Sequence, residues 1–390
     1  MTSKAWTSVS ADSGNETDSC SSQPFTKQLF YHLHPDTVCR PYKPLEIHVR
    51  KLSEFTFYDG RFVPGIGQAR RLNDALVKGE LEKDEVFLAE SKVSPHDEAT
   101  CNMFHILVEQ SKQNGNASLN NTVCGCSVIV SQGALATIAT FRQRWCRNTK
   151  LVCGIYRKCL FITREDALIM RDTKNVCFAT KRALTRPNDK ASCKKTYHCV
   201  QTEVKLGKLK MFVNGDLDCL DSTNQQIEIK CQLLGMRNER QHYYITPFWY
   251  AEAVLLKTET IVVAERLKDN SVISVKRVHI NELETGGENF DASGMVWTPG
   301  NKEKKLKWTW TKDKLFGHVE EFVNKIYDLL QSDKYFNKIV VIQKEPQKST
   351  FFIAEVDHNS SRLFPVEFQD HFRQSERLKI RPLALPWEKN

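Results

Sequence analysis

The chain contains no apolar run approaching the roughly 20 residues that cross a bilayer, so no segment reads as a transmembrane helix. Its N-terminus lacks the basic segment and apolar core of a secretory signal. Together these absences set the expectation of a protein of the nucleus or cytoplasm, neither secreted nor bound to a membrane. Among 13 cysteines there is no Cys-x-x-Cys pair. Cys124-Gly125-Cys126 and the trio Cys193, His198 and Cys199 also lack the paired spacing of structural zinc sites. The cysteines are therefore expected as reduced thiols, mostly small buried hydrophobes. Gly65-Ile66-Gly67 has neither the third glycine nor the strand–helix context of a dinucleotide loop, and reads as a turn. There is no internal repeat, and no serine or cysteine that the sequence alone pairs with a histidine.

What is present is an ordinary globular composition, 41% hydrophobic and 26% charged over 390 residues. Residues 1–24 are rich in Ser, Thr, Asp and Asn and poor in large apolar groups, so they are expected to form a disordered tail. Residues 25–390 show no linker of that character and are expected to form a single domain. The net charge of +9 suggests an anionic partner, and its distribution is uneven. One basic cluster holds Arg142, Arg144, Arg147, Lys150, Arg157 and Lys158 around Phe141, Trp145 and Tyr156. A second holds Lys181, Arg182, Arg186, Lys190, Lys194 and Lys195, and a third spans Lys302 to Lys314 with Trp308 and Trp310 inside it. Such clusters neutralise phosphates while aromatic faces stack on unpaired bases. The other reading of each is a solvated face with its aromatics buried.

Strands are expected at Thr122–Val130, Leu151–Cys153, Cys159–Thr163, Tyr197–Val204 and Leu209–Val213. Lys112–Asn121 and Glu284–Asn301 read as loops. Pro247–Lys257 reads as a helix with Pro247 in its first turn, followed by a strand at Thr260–Arg266. Leu315, Val319, Phe322, Ile326 and Leu329 recur at helical spacing, and two closing strands follow at Lys338–Gln343 and Phe351–Val356. The mixture indicates an α/β (mixed α+β) fold with a mostly β core.

The segment from Asn214 to Gln232 is the most informative. Asp216 and Asp218 stand two residues apart, and Glu228-Ile229-Lys230 follows ten residues after the second. Strand alternation would present each polar pair on one face while Leu217 and Ile229 point to a core. If the strands are neighbours, three carboxylates and one ammonium converge. Carboxylates suit hard divalent cations, and a lysine can steer a metal-bound hydroxide toward phosphorus, the pattern of metal-dependent nucleases. The alternative is a half-exposed sheet whose charges merely face water.

The order GDLDC, IEIKCQ, then FWYAEAVLL running into TIVVAER resembles the DXO family of eukaryotic mRNA-decapping 5′→3′ exoribonucleases. The resemblance covers roughly residues 41–372. It implies two β-sheets with flanking helices around a deep pocket that admits a single-stranded RNA 5′ end. It also implies Mg2+ or Mn2+ driving hydrolysis that removes incomplete caps, NAD caps among them, or degrades 5′-monophosphate RNA. By that resemblance Asp218, Glu228 and Lys230 are catalytic, and Asp216, Asp218, Glu228 and Glu252 are metal ligands. Lys230, Gln132 and Glu252 would contact substrate. The protein would be a monomer, and family analogy adds a partner exonuclease.

Three positions depart from the family pattern. Asp216 stands where the family has glutamate, a side chain roughly 1.5 Å longer. Asn175-Val176-Cys177-Phe178-Ala179 matches a motif ending in a metal-binding glutamate, and Ala179 has no ligand atom. Gln132 stands where an arginine precedes a glycine. Glu252 replaces a glutamine and adds a carboxylate. Two-metal hydrolysis needs cations held about 3.5–4 Å apart by shared carboxylates, so these losses imply impaired or absent activity. The leading expectation is a divergent member that binds RNA 5′ ends with catalysis weak or lost. An active enzyme built on the surviving carboxylates and a protein-interaction module with a vestigial pocket are the alternatives.

Overall fold

A computed structural model describes residues 28–32, 46–58, 61–66, 69–88, 103–141, 149–165, 176–186, 196–233, 239–284, 310–344 and 350–380. The described chain begins β1 (Gln28–His32), β2 (Ile47–Tyr58), β3 (Arg61–Pro64), β4 (Arg71–Leu72), β5 (Gly79–Glu80), β6 (Phe87–Leu88), α1 (Met103–Gln113) and α2 (Leu119–Thr122). It continues β7 (Val128–Ser131), α3 (Gln132–Ala139), β8 (Lys150–Tyr156), β9 (Cys159–Glu165), α4 (Val176–Leu184), β10 (Thr185–Arg186), β11 (Thr196–Leu206), β12 (Leu209–Leu217), β13 (Cys219–Leu220) and β14 (Gln226–Leu233). The last part is α5 (Glu239–Leu255), β15 (Thr260–Arg266), β16 (Ser271–His279), α6 (Lys312–Phe316), α7 (Val319–Gln331), β17 (Ile339–Lys344), β18 (Thr350–Asp357) and α8 (Val366–Ile380).

Two sheets carry the fold. The larger runs β1-β18-β17-β8-β9-β7-β12-β11-β2-β3, and the smaller runs β10-β4-β13-β14-β15-β16-β5 with β6 beside β16. Most neighbours are antiparallel, but β7 is parallel to both β9 and β12, and β14 is parallel to β15. Parallel neighbours need a crossover, which α5 supplies between β14 and β15.

Alternation along the strands sorts the core into layers. Val213 and Ile342 of the larger sheet and Ile261 and Val263 of the smaller one share a cluster with Ala134, Ile138, Trp249, Ala253, Phe322 and Ile326. Helices α3, α5 and α7 therefore share one core with both sheets. On the outer side of the larger sheet, Phe104 of α1 and Phe368 and Phe372 of α8 pack against Phe161 and Phe212. On the outer side of the smaller sheet, Ala179 and Leu184 of α4 cover Ile227, Ile229 and Val262. The mixed α+β architecture of two sheets and flanking helices is the one expected.

Local details differ from expectation where backbone chemistry overrides pattern. The strand expected at Thr122–Val130 is only Val128–Ser131. Cys124 and Gly125 take φ of 54° and 72°, a left-handed pair that ends extension, and Thr122 closes α2. The loop expected at Lys112–Asn121 is partly helical, with α1 reaching Gln113 and α2 starting at Leu119. Pro247 lies inside α5, eight residues past its start, so the helix gives up one backbone hydrogen bond there. Trp310 Nε1 reaches Thr246 Oγ1 next to that proline, at 3.3 Å. The periodic segment from Leu315 to Leu329 is two helices, α6 and α7, divided at Gly317 and His318.

Cys124, Cys126, Cys153, Cys159, Cys177, Cys219 and Cys231 carry free thiols. Cys199 is disulfide-bonded, so the expectation of reduced thiols does not hold there. No helix among the described residues is long and apolar enough to cross a membrane. The expected tail at 1–24, Arg142, Trp145, Arg144, Arg147, Lys190, Lys194, Lys195, Cys193, Asn175, the loop beyond Glu284 and the basic run up to Trp308 lie outside the described residues.

Candidate active site

The chain leaves the larger sheet at Leu217 and enters the smaller one at Cys219, so Asp218 sits on the crossing. A tight turn then returns it as β14. Asp221 builds that turn: its Oδ1 accepts from the backbone N–H groups of Thr223 and Gln225, each at 2.9 Å, and from the Thr223 hydroxyl at 2.8 Å. Asn224 takes φ of 66°, as asparagine tolerates. Arg277 of β16 donates to Asp221 Oδ2 at 3.0 Å and also pairs with Asp74. Those donors outweigh burial and hold the Asp221 carboxyl below the usual aspartate range. The turn fixes the ten-residue step from Asp218 to Glu228.

On β14, Ile227 and Ile229 enter the cluster under α4, so Glu228 and Lys230 point the other way, toward α3 and α5. Lys230 Nζ lies 2.5 Å from Glu228 Oε2 and 2.8 Å from Glu252 Oε2 of α5. Gln132, the first residue of α3, donates from Nε2 to Glu228 Oε1 at 2.9 Å and to the Glu252 carbonyl at 3.1 Å. Ser131 caps α3, its Oγ accepting from Ala134 N at 3.4 Å. Gly215 on the facing strand makes room: an added Cβ would stand 2.6 Å from Gln132 Oε1 and 2.8 Å from Leu256 Cδ2.

Asp218 sits beside this group, tied to β14 by the Ile229 amide and paired with Lys181. Its Oδ1 lies 2.5 Å from Lys181 Nζ, and its Oδ2 accepts from Ile229 N at 2.7 Å. Burial pushes the Glu228 carboxyl up to about 7; Lys230 opposes the shift, while the charges of Glu252 and Asp218 add to it. Burial works against the Lys230 ammonium, but Glu228, Glu252 and Asp218 outweigh it and hold the pKa above the ordinary lysine value. The same holds for Lys181, where Asp218 outweighs burial.

Of the residues expected at the site, the structure brings together Gln132, Asp218, Glu228, Lys230 and Glu252. It sets Asp216 apart. Gly215 and Leu217 face Gln132 and Leu256, so Asp216 points to the opposite face of β12. There it is exposed, paired across the strands with Cys199 of β11, its Oδ1 3.1 Å from the sulfur. The i, i+2 spacing fails to align Asp216 with Asp218 because the chain changes sheets between them. Ala179 lies on α4, buried among Leu184, Ile227 and Ile229.

Two features were missed in the sequence. Lys181 was read only as part of a basic cluster. Its place just after Ala179, within the two and a half turns of α4, is the signal that was available. The second is a polar group at the other end of the seam between the sheets. Glu54 of β2 pairs with Lys51 and lies 3.7 Å from His198 Nε2, while Thr56 Oγ1 meets His198 Nδ1 at 2.9 Å. Glu54 also lies 3.5 Å from the Gln226 amide of β14. His198, 3.7 Å away, is the largest influence on Glu54, and with Lys51 it overcomes burial and brings the carboxyl down to about 2.

The donor set does not fit a divalent ion as arranged. Five of the six oxygens of Asp218, Glu228 and Glu252 are taken by Lys181, Ile229 N, Gln132 and Lys230. Among the described residues no three His, Cys, Asp or Glu side chains converge in a metal-binding arrangement.

No protein-family model matches the chain, and neither does any curated protein. Solved structures do. Rai1 of Candida albicans, in complex with pU5 and Mn2+, superposes with a TM-score of 0.59 at 14% identity, over 84% of this chain and 96% of that one. Rai1 of Scheffersomyces stipitis, in complex with (3′-NADP)+ and a calcium ion, gives 0.58 at 12% identity, over 90% and 100%. Dxo1 of K. lactis, in complex with manganese, gives 0.53 at 15%, over 85% and 98%. The fold is thus of the two-sheet class built by Rai1 and Dxo1 proteins. In particular it is the fold of the DXO family, as the sequence resemblance implied, and at these identities the likeness is one of fold.

Proposed function

We propose that this chain is a divergent DXO-family protein that binds RNA 5′ ends, its metal-dependent decapping and 5′→3′ exonuclease activity weak or lost. The observation that carries this reading is the state of the carboxylates. Asp218, Glu228 and Glu252 each face a lysine of the chain itself, at 2.5 to 2.8 Å. Ala179 adds no ligand atom, Asp216 points elsewhere, and Gln132 presents an amide where the family has a guanidinium. Phosphoryl hydrolysis relies on cations and positioned donors to neutralise charge in the transition state. Loss of several at once costs several kcal/mol, with about 1.4 kcal/mol per tenfold in rate. RNA binding is supported by the shared fold, since the Candida albicans Rai1 structure holds pU5, and by the net charge of +9. In this reading any divalent cofactor is Mg2+ or Mn2+, weakly held, and residues 25–390 act as one domain, a monomer that also serves a partner exonuclease.

The active alternative draws on the meeting of Asp218, Glu228, Lys230 and Glu252 in one cluster. One experiment separates the two. The protein is incubated with 5′-monophosphate, triphosphate, NAD-capped and methyl-capped RNA in Mg2+ and then Mn2+, beside Asp218→Ala, with RNA binding measured in parallel. Binding without shortening is expected. Metal-dependent shortening that disappears in Asp218→Ala overturns the proposal in favour of an active enzyme. Neither binding nor shortening overturns it in favour of a protein-interaction role.

A further inference from the structure

The carboxylates that a divalent ion would need are already partnered, and the partner that belongs to this chain's own pattern is Lys181. Its Nζ lies 2.5 Å from Asp218 Oδ1, while Mg2+ requires about 2.0–2.1 Å to its oxygen ligands. The ammonium therefore fills the ground that a metal on Asp218 would occupy. Lys230, the lysine of the Glu-x-Lys pair itself, bridges Glu228 Oε2 and Glu252 Oε2. The remaining oxygens of Asp218 and Glu228 accept from the Ile229 amide at 2.7 Å and from Gln132 Nε2 at 2.9 Å. Placing a dication here breaks ion pairs already made and brings it close to two ammonium groups, where like charges repel strongly at low dielectric.

We propose that Lys181 stands in a cation position of this site, that it keeps a divalent metal off Asp218, and that RNA 5′-end binding at this cluster is independent of divalent metal. The last clause rests on the RNA-binding reading above; the first two do not. Helix α4 explains how the substitution arises. Ala179 turns into the apolar cluster against Ile227 and Ile229. Residues two apart on a helix point to nearly opposite sides, so Lys181 emerges from that cluster and reaches Asp218.

The test is a Mn2+ titration followed by the electron paramagnetic resonance signal of free Mn2+, on the wild-type chain, Lys181→Met and Asp218→Ala. Methionine keeps the apolar stem, and circular dichroism confirms folding of each variant. The expected result is no stoichiometric Mn2+ binding by the wild type. Lys181→Met should gain at least about tenfold in affinity, equivalent to roughly 1.4 kcal/mol, and Lys181→Met/Asp218→Ala should lose that gain. Stoichiometric Mn2+ binding by the wild type that is lost in Asp218→Ala overturns the proposal. So does a Lys181→Met variant that binds no better than wild type, or one whose gain survives Asp218→Ala. RNA binding is measured separately with 5′-monophosphate U5 in EDTA and in Mn2+. Equal affinity is expected, and binding only in Mn2+ overturns the metal independence. Failure to bind in either condition sinks the RNA reading, while the Mn2+ titration still decides the role of Lys181.

Discussion

The seam between the two sheets has two polar ends, and their glutamates behave in opposite ways. At one end Glu54 is held down to about 2, led by His198 at 3.7 Å and helped by Lys51. At the other end burial pushes Glu228 up to about 7, even with Lys230 at 2.5 Å. Both side chains point into the same seam, and Gln226 on β14 lies between them, two residues from Glu228. The difference lies in the company each keeps. Glu54 has a histidine and a lysine for one carboxylate. At the other end three carboxylates share two ammonium groups, and the excess is one negative charge. A proton on Glu228 near neutral pH closes that account. Burial sets the direction of the Glu228 shift and opposite charge that of the Glu54 shift, so the Glu54 end shows what a stabilising arrangement looks like in the same fold.

Mutations at the two ends separate these effects. The largest effect is expected from Asp221→Ala, which strips the turn that returns β14 beneath Asp218. It leaves the N–H groups of Thr223 and Gln225 and one arm of Arg277 without their acceptor. A loss of about 3 kcal/mol is expected in denaturant melts; a loss below about 1 kcal/mol would show that the turn does not hold the Glu228 end together.

Glu228→Gln tests the upward shift itself. A carboxyl whose folded pKa lies above its unfolded value stabilises fully at low pH, and loses that contribution as pH rises from about 4.5 to about 7. The wild type should therefore lose stability relative to Glu228→Gln across that window, by up to about 3 kcal/mol. Parallel stability curves between pH 4 and 8 would refute the shift. Gly215→Ala comes next. The added methyl would press on Gln132 and Leu256 and cost about 2 kcal/mol by overpacking, with displacement of Gln132 from Glu228 visible in a crystal structure. An unchanged melting temperature would mean that Gln132 is not pinned there.

Glu54→Gln is the mildest, and its sign is reversed. A carboxyl with a lowered folded pKa stabilises above its unfolded value and loses this as pH falls from about 4.5 toward about 2. The variant should flatten the acid limb of the stability curve by roughly 1 kcal/mol, discounted for solvent screening. An acid limb as steep as wild type would contradict it.

Much of this was legible in the sequence, and the failures are instructive. Alternation correctly placed Leu217 and Ile229 toward apolar clusters. Asp216 was misplaced because spacing assumes one continuous strand, and the chain changes sheets at Asp218. Lys181 escaped notice because its partner is 37 residues away in sequence, and the motif segment around Ala179 gave no hint that it lies on a helix. Proline at 247 looked like a helix start, since the first turn tolerates it; tertiary contacts such as Trp310 on Thr246 extend α5 back past it. Glu54 and His198 carried no motif, and only the pairing of β2 with β11 brings them together.

Lys181 stands where a metal ion on Asp218 would be. The most direct measurement is the anomalous difference map of a crystal soaked in MnCl2. No manganese peak is expected among Asp218, Glu228 and Glu252, with Lys181 Nζ still on Asp218. A manganese peak coordinated by Asp218 and Glu228, with Lys181 turned away, would contradict it.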